Sequence, residues 1–215
     1  QTYYEMRKNK GMTIEEARET MLNPLYFGAM MVKKDIVDGM VAGAVNSTSN
    51  VILSAVRVIK AAPGIKSVSS CFIMESPIKE FGDEGKMVYG DCGFIIDPDT
   101  EQLADIAIAT AKTAKDVLDM EPRVAMLSFS TKGSAKHACV DKVINATALV
   151  KERRPDLLID GELQVDAALV PSVGEFKSPG SPVAGKANVL IFPNLDAGNI
   201  GYKLTQRLGQ AWALG

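Results

Sequence analysis

Histidine is almost absent from this chain: its 215 residues contain one, His137. A multi-histidine metal site is therefore excluded, no metal ligands are expected, and the lone ring suits a surface helix better than a Ser-His-Asp centre. Cysteine is nearly as scarce. Cys71, Cys92 and Cys139 lie far apart, with no CxxC pair. An odd, sparse count fits a reducing cytoplasm rather than a disulfide framework, and points to a cytoplasmic protein. The plain reading of the thiols is as small buried hydrophobes, which is adopted for Cys71 and Cys139. No run reaches the roughly 18 to 20 apolar residues of a membrane helix, so no membrane association is expected. Gln1 to Gly11 is polar and charged, without signal-peptide character. Basic excess is also missing. With 24 Lys and Arg against 26 Asp and Glu, the net charge is −2, which gives no footprint for nucleic acid. The longest basic runs, Lys33-Lys34 and Arg153-Arg154, read as solvated helix ends.

What is present is an ordinary globular mixture, 47% hydrophobic and 23% charged, without internal repeats. Thr13-Ile14-Glu15-Glu16 is a capping box, and the pattern after it predicts one helix to about Val32. Gly39 to Ala44 is predicted as a strand. Ser47 and Thr48 then cap a helix with Val51, Ile52, Ala55, Val56 and Ile59 at helical spacing. Ala62-Pro63-Gly64 breaks the pattern and marks a crossing between domains. Strands are expected at Val68 to Met74, Met87 to Cys92, Arg123 to Phe129, 157–159 and Asn188 to Phe192. Helices are expected after Pro98-Asp99-Thr100, through Val140 to Val150, near Asp166, and from Gly198 to Leu208. Trp212 and Met120 read as packing residues. Strands alternating with helices predict an α/β fold with three layers and a mostly parallel sheet.

In such sheets ligands bind beyond the carboxyl ends of strands, where helix N-termini point. Three junctions carry suitable chemistry. Ser128, Ser130, Thr131, Lys132, Gly133 and Ser134 follow a buried strand and form a potential anion cradle, although the GxxxxGK[ST] order is missing. A capped, solvated loop is the equally weighted alternative. Asn46, Ser47 and Thr48 stand at a second junction, where plain N-capping is favoured on the residues alone. Asn199, Tyr202 and Lys203 open the last helix and can project toward a cleft, or be surface polar residues. Asp160 and Asp166 are open to two readings, an acid–base or metal pair and, more commonly, a strand-end turn followed by a cap. Gly180 to Pro182 reads as an exposed loop.

Seven strings in one order resemble the phosphate acetyl/butyryltransferase family across the chain: residues 6–11 (MRKNKG), 38–45 (DGMVAGAV), 89–92 (YGDC), 121–128 (EPRVAMLS), 154–161 (RPDLLIDG), 181–188 (SPVAGKAN) and 198–203 (GNIGYK). The resemblance implies an isocitrate/isopropylmalate dehydrogenase-like fold, two-domain with a cleft. Residues 1–64 would be the latter part of the first domain, incomplete, and 65–215 the inserted second domain. The implied reaction is acetyl-CoA plus phosphate giving acetyl phosphate plus coenzyme A, by direct attack in a ternary complex. Coenzyme A is then a substrate rather than a tightly bound cofactor. Arg7 matches a substrate-binding arginine of the family, and the Ser128–Ser134 loop and 199–203 segment would line the phosphate end. The family pairs largely through the inserted domain, which implies a homodimer.

Two departures stand out. The family's Ser-Arg-Gly segment and nearby aspartate, tied to oxyanion stabilisation and thiol deprotonation, would fall beyond Gly215, so the chain reads as a fragment with little or no activity of its own. Leu53 also stands where the family tends to carry arginine. Either coenzyme A is held differently, Arg57 substitutes one turn later, or the acyl-donor preference has changed. The alternatives are phosphate butyryltransferase, with the 181–188 string favouring the acetyl enzyme, and a non-catalytic dimerising or phosphate-binding fragment. A decarboxylating dehydrogenase of the same fold would need clustered metal-binding aspartates, which the sequence does not offer.

Overall fold

The computed structural model describes residues 1–61 and 68–215, and the chain divides into two compact units, Gln1–Ile65 and Lys66–Gly215. The expected crossing at Ala62-Pro63-Gly64 lies outside the described residues. Among the described residues, no helix is long and apolar enough to cross a membrane.

The first unit is helical where described: α1 (Thr2–Arg7), a 3-10 turn (Lys8–Lys10), α2 (Ile14–Met21), α3 (Pro24–Lys33) and α4 (Thr48–Val58). The capping box forms as the sequence predicts. The Glu16 amide donates to Thr13 Oγ1 at 3.1 Å, and the Thr13 amide donates to the Glu16 carboxylate at 2.8 Å. The single helix expected to Val32 is instead two. Asn23 accepts from the Leu25 amide at 2.9 Å and Pro24 takes the first helical position. Proline lacks the N–H that α2 would need to continue, yet its fixed φ suits a helix start. Gly39 to Ala44 is not a strand. It finds no ladder partner among the described residues, and Val41 is exposed. Tyr3, Ala17, Ala29, Met30 and Val58 form a small core.

The second unit holds a six-stranded sheet in the order β4-β3-β5-β2-β1-β6. Its strands are β1 (Cys71–Glu75), β2 (Lys86–Gly90), β3 (Arg123–Leu127), β4 (Leu158–Leu163), β5 (Val189–Ile191) and β6 (Trp212–Leu214). Pairings from β4 through β2 are parallel, whereas β2/β1 and β1/β6 are antiparallel. Two successive reversals turn β6 parallel to β2, so only β1 runs against the rest.

Alternation along the strands sorts the core into two faces. Val88, Val124, Met126, Val189 and Ile191 face α5 (Thr100–Leu118) and α6 (Ala138–Arg153), while Met87, Tyr89, Ala125, Leu127 and Leu190 face the other layer. That layer contains α7 (Val165–Leu169) and α9 (Leu195–Arg207), with α8 (Pro171–Lys177) packed on α7. Being covered on both faces, the central strands read as near-continuous apolar runs, the property that made them legible. Asp99 caps α5 in a second capping box with Gln102. The last strand was not expected, and it corrects the reading of Trp212. That side chain is 73% exposed on the edge strand, whereas Met120 is buried as predicted.

Candidate functional site

Both units carry hollows lined by polar side chains. In the first unit, α1 ends at Arg7 and the chain turns at Gly11, whose φ of 84° is left-handed. This places Arg7 and Lys10 on the wall of an open hollow of about 650 Å³, with Arg57 from α4 on the same hollow. Glu16, Glu19, Thr20, Asn23 and Tyr26 complete most of the lining. Arg57 donates to the Tyr26 hydroxyl at 3.0 Å. Tyr26 meets Tyr3 edge to face at 5.8 Å. Burial raises the Tyr3 hydroxyl above its ordinary pKa, Tyr26 adds to this, and Arg7 and Arg57 oppose it. Among the described residues, Arg7 Nε is buried without a hydrogen-bond partner. An unsatisfied guanidinium N–H is costly, and a planar donor array matches phosphate oxygens. Leu53, where the resemblance leads one to look for arginine, is 42% exposed, and Arg57 one turn on is the residue that reaches the hollow. Asn46, Ser47 and Thr48 are on none of this lining. Ser47 caps α4 by accepting from the Asn50 amide at 3.3 Å.

In the second unit, a hollow of about 630 Å³ opens beyond the carboxyl ends of β3 and β5. Ser128 and Phe129 line it after β3, Asn194 and Asp196 after β5, and His137, Cys139 and Lys142 at the start of α6. His137 is the N-cap of α6 rather than a residue within it, and Nδ1 accepts from the Cys139 amide at 3.2 Å. Cys139 Sγ lies 3.0 Å from the same nitrogen and is only half-buried, so it is not the buried hydrophobe expected. Cys71 is half-buried against the core, and Cys92 is buried. Burial above all, with Asp91 and Cys71 nearby, pushes the Cys92 thiol up to about 12.

The 128–134 loop forms a cradle, and the fold supplies its own anion. Ser130 Oγ donates to Glu162 Oε1 at 2.8 Å, and the Gly133 amide donates to the same oxygen at 2.7 Å. Lys132 and Gly133 both adopt left-handed backbone, φ 48° and 82°. Lys132 Nζ reaches Asp160 Oδ1 at 2.5 Å. Thr131 Oγ1 accepts from the Gln164 amide at 2.9 Å, and Ser134 Oγ accepts from the Thr131 amide at 3.0 Å. Ser130 and Thr131 are thus buried, leaving Ser128 as the loop hydroxyl on the hollow.

The aspartates do not pair with each other. Asp160 binds Lys132 and accepts from Ser181 Oγ at 2.5 Å, while Asp166 pairs with Lys177 at 2.9 Å. The 180–182 loop is therefore anchored by a half-buried Ser181. Asn199 donates to the Cys92 carbonyl at 3.1 Å, and Tyr202 stacks on Phe72 at 4.1 Å. Of that trio only Lys203 is exposed, with Nζ 5.8 Å from the Tyr202 ring centre. The 89–92 string has a structural explanation as well. Asp91 accepts from the Gly93, Phe94 and Ile95 amides at 2.9, 3.1 and 2.9 Å, closing the turn after β2. Sequence reasoning missed Tyr26 and Glu162. For Glu162, two carboxylates spaced i, i+2 about Gly161 at a strand end were the available signal.

The chain thus combines a mixed α/β unit that has a polar hollow at its strand ends with a helical unit whose hollow sets Arg7, Lys10 and Arg57 beside Glu16 and Glu19. The family model for phosphate acetyl/butaryl transferase matches residues 1–215, and the chain belongs to that family. It is 60% identical over 214 residues to a phosphate acetyltransferase of Acetivibrio thermocellus, covering 100% of this chain and 64% of the relative. It is 59% identical over 213 residues to one from Thermoanaerobacterium thermosaccharolyticum, covering 99% and 65%. The crystal structure of a phosphotransacetylase from Streptococcus pyogenes superimposes with a TM-score of 0.92 at 47% identity, covering 100% of this chain and 63% of that one. The chain thus spans slightly under two thirds of the length of the curated relatives it matches.

Proposed function

We propose that the protein carrying this chain is a phosphate acetyltransferase, acting by direct attack within a ternary complex. A phosphate oxygen attacks the acetyl carbonyl carbon of acetyl-CoA, a C–O bond forms, the C–S bond breaks, and coenzyme A leaves as the thiolate. The observation that carries this reading is identity of 59 and 60% with proteins named phosphate acetyltransferase, over nearly the whole chain. The arginine-lined hollow supports it chemically, since Arg7, Lys10 and Arg57 offer fixed cationic donors for phosphate groups. Ser128, with the loop to Ser134, would line the phosphate end, and Lys203 would add an exposed cation. Coenzyme A enters as substrate, and no tightly bound cofactor is invoked.

The wider arrangement is part of the proposal. Residues 1–64 would belong to one domain and 65–215 to an inserted one, in an isocitrate/isopropylmalate dehydrogenase-like enzyme with a cleft, working as a cytoplasmic homodimer. The test compares the protein at its natural length with the 215-residue chain, following acetyl phosphate formation and arsenate-dependent hydrolysis of acetyl-CoA. The longer protein is expected to be active and the chain alone nearly inert. In the longer protein, Arg7→Ala and Arg57→Ala should each raise the KM for acetyl-CoA by roughly ten- to a hundredfold, the value of a lost charge-assisted hydrogen bond. Inactivity at natural length would sink the reading, and a preference for butyryl-CoA would move it to the butyryl branch.

A further inference from the structure

We infer that Glu162 is a positioning residue for the phosphate end of the reaction, an internal carboxylate that holds the 128–134 loop so that Ser128 stands on the wall of its hollow. The inference rests on the acetyl-transfer reading above.

A surface loop with Ser130, Gly133 and Ser134 should be mobile and water-filled, because each donor can be satisfied by solvent. Here the donors are turned inward. Glu162 is 2% exposed, and one of its oxygens receives both the Ser130 hydroxyl and the Gly133 amide. The loop backbone returns the contact, since the Lys132 amide donates to the Glu162 carbonyl at 3.3 Å. Two residues earlier on β4, Asp160 takes the Lys132 ammonium at 2.5 Å and the Ser181 hydroxyl at 2.5 Å. β4 thus grips the loop at two points, Asp160 through the Lys132 side chain and Glu162 through Ser130 and Gly133. Hydrogen bonds to an ionised acceptor are about twice as strong as neutral ones, and an emptied partner would leave buried donors unsatisfied. The Ser130 hydroxyl also accepts from the Ala135 amide at 3.0 Å, carrying the constraint toward α6. The geometry assigns Glu162 to holding the loop from inside the fold, while Ser128 and Phe129 face the hollow.

The experiment uses the protein at its natural length and measures kcat and both KM values for Glu162→Ala and Glu162→Gln. Glutamine keeps an Oε1 that can accept from both Ser130 and Gly133, whereas alanine keeps none. The Ala variant should raise the KM for phosphate at least about tenfold, with a displaced loop able to cost up to a hundredfold in rate. The KM for acetyl-CoA should move less than about twofold, and Gln should restore phosphate KM to within about threefold of wild type. Where the Ala variant does not fold, Ser130→Ala removes one of the two bonds and should show the same phosphate-selective change in smaller measure. A lowered melting temperature with unchanged kinetics would mean a merely structural role and overturn the inference. Equal losses in Ala and Gln, or both KM values rising together, would overturn it too. An inactive wild type would instead defeat the acetyl-transfer reading on which it depends.

Discussion

Asp160 is a buried carboxylate whose environment acts in opposite directions. Burial alone would raise its pKa, but hydrogen bonds from Lys132 and Ser181, with the Lys132 charge, hold it below the ordinary aspartate value. A folded-state pKa lower than the unfolded one means the unfolded chain binds more protons as acid is added. The stabilisation is therefore complete above the unfolded pKa of about 3.9 and is lost as pH falls through the folded value. Asp160→Asn does not titrate, and it keeps one acceptor oxygen while presenting an NH2 where the other oxygen stood. Its urea-unfolding free energy should fall less between pH 7 and pH 3 than that of wild type, and parallel curves would disprove the linkage. The cysteines separate by the same logic of charge and exposure. The Cys92 thiol, pushed to about 12 within the core, is almost wholly protonated at pH 8, and burial raises Cys71 as well. Only a thiolate alkylates readily. Iodoacetamide at pH 8 should label half-buried Cys139 first, Cys71 more slowly, and Cys92 only on unfolding, as followed by peptide mass spectrometry. Early labelling of Cys92 would contradict the buried placement.

Among the elements, α9 depends on a small residue in its first turn. Gly198 is buried in its first turn, and a Cβ there would press into the Asp91 carbonyl oxygen and lie 3.2 Å from both Cys92 Cα and Sγ. Glycine to alanine inside a helix ordinarily gains up to about 1 kcal/mol. Here the obstacle is backbone, and overpacking of this kind costs typically about 1–3 kcal/mol, so the net sign should be destabilising. Gly198→Ala is expected to lower the melting temperature by several degrees, about 2–4 °C per kcal/mol for a chain of this size. Unchanged or raised melting would show that α9 shifts without cost. The elements also show what was legible. β3, β5 and the helix after Asp99 were readable because burial on both sides writes long apolar runs and regular spacing, and Leu103, Ile106 and Ala107 of α5 are buried. The break at Asn23-Pro24 carried an explicit local signal that the longer apolar pattern overrode. β6 carried almost none, because an edge strand of three residues with Trp212 exposed looks like the tail of a helix. In the candidate site, the loop position was legible but its wiring was not. Whether Ser130 and Gly133 serve a ligand or Glu162 depends on a contact 32 and 29 residues away in sequence.

At the scale of the molecule, the apolar material is unevenly divided. The unit Lys66–Gly215 has two core clusters, one on each face of its sheet, with Leu103, Ile106, Met126, Leu163, Leu190 and Ile191 fully buried. Among its described residues the unit Gln1–Ile65 has one small cluster of five buried residues, while Leu22, Phe27, Ile36, Val41 and Val45 remain exposed. A unit of this smaller size buries only about 60% of its unfolded surface, near the limit for folding alone, whereas one of about 150 residues buries nearly 70%. A fragment of residues 66–215 should therefore unfold cooperatively in urea with a single transition, coincident by far-UV circular dichroism and by Trp212 fluorescence. The fragment 1–65 should show helical signal without a cooperative transition. The same asymmetry predicts that limited proteolysis of the whole chain leaves a stable product near the size of the larger unit. A cooperative transition in fragment 1–65 alone, or loss of folding in fragment 66–215, would mean that the larger sheet does not supply its own stability.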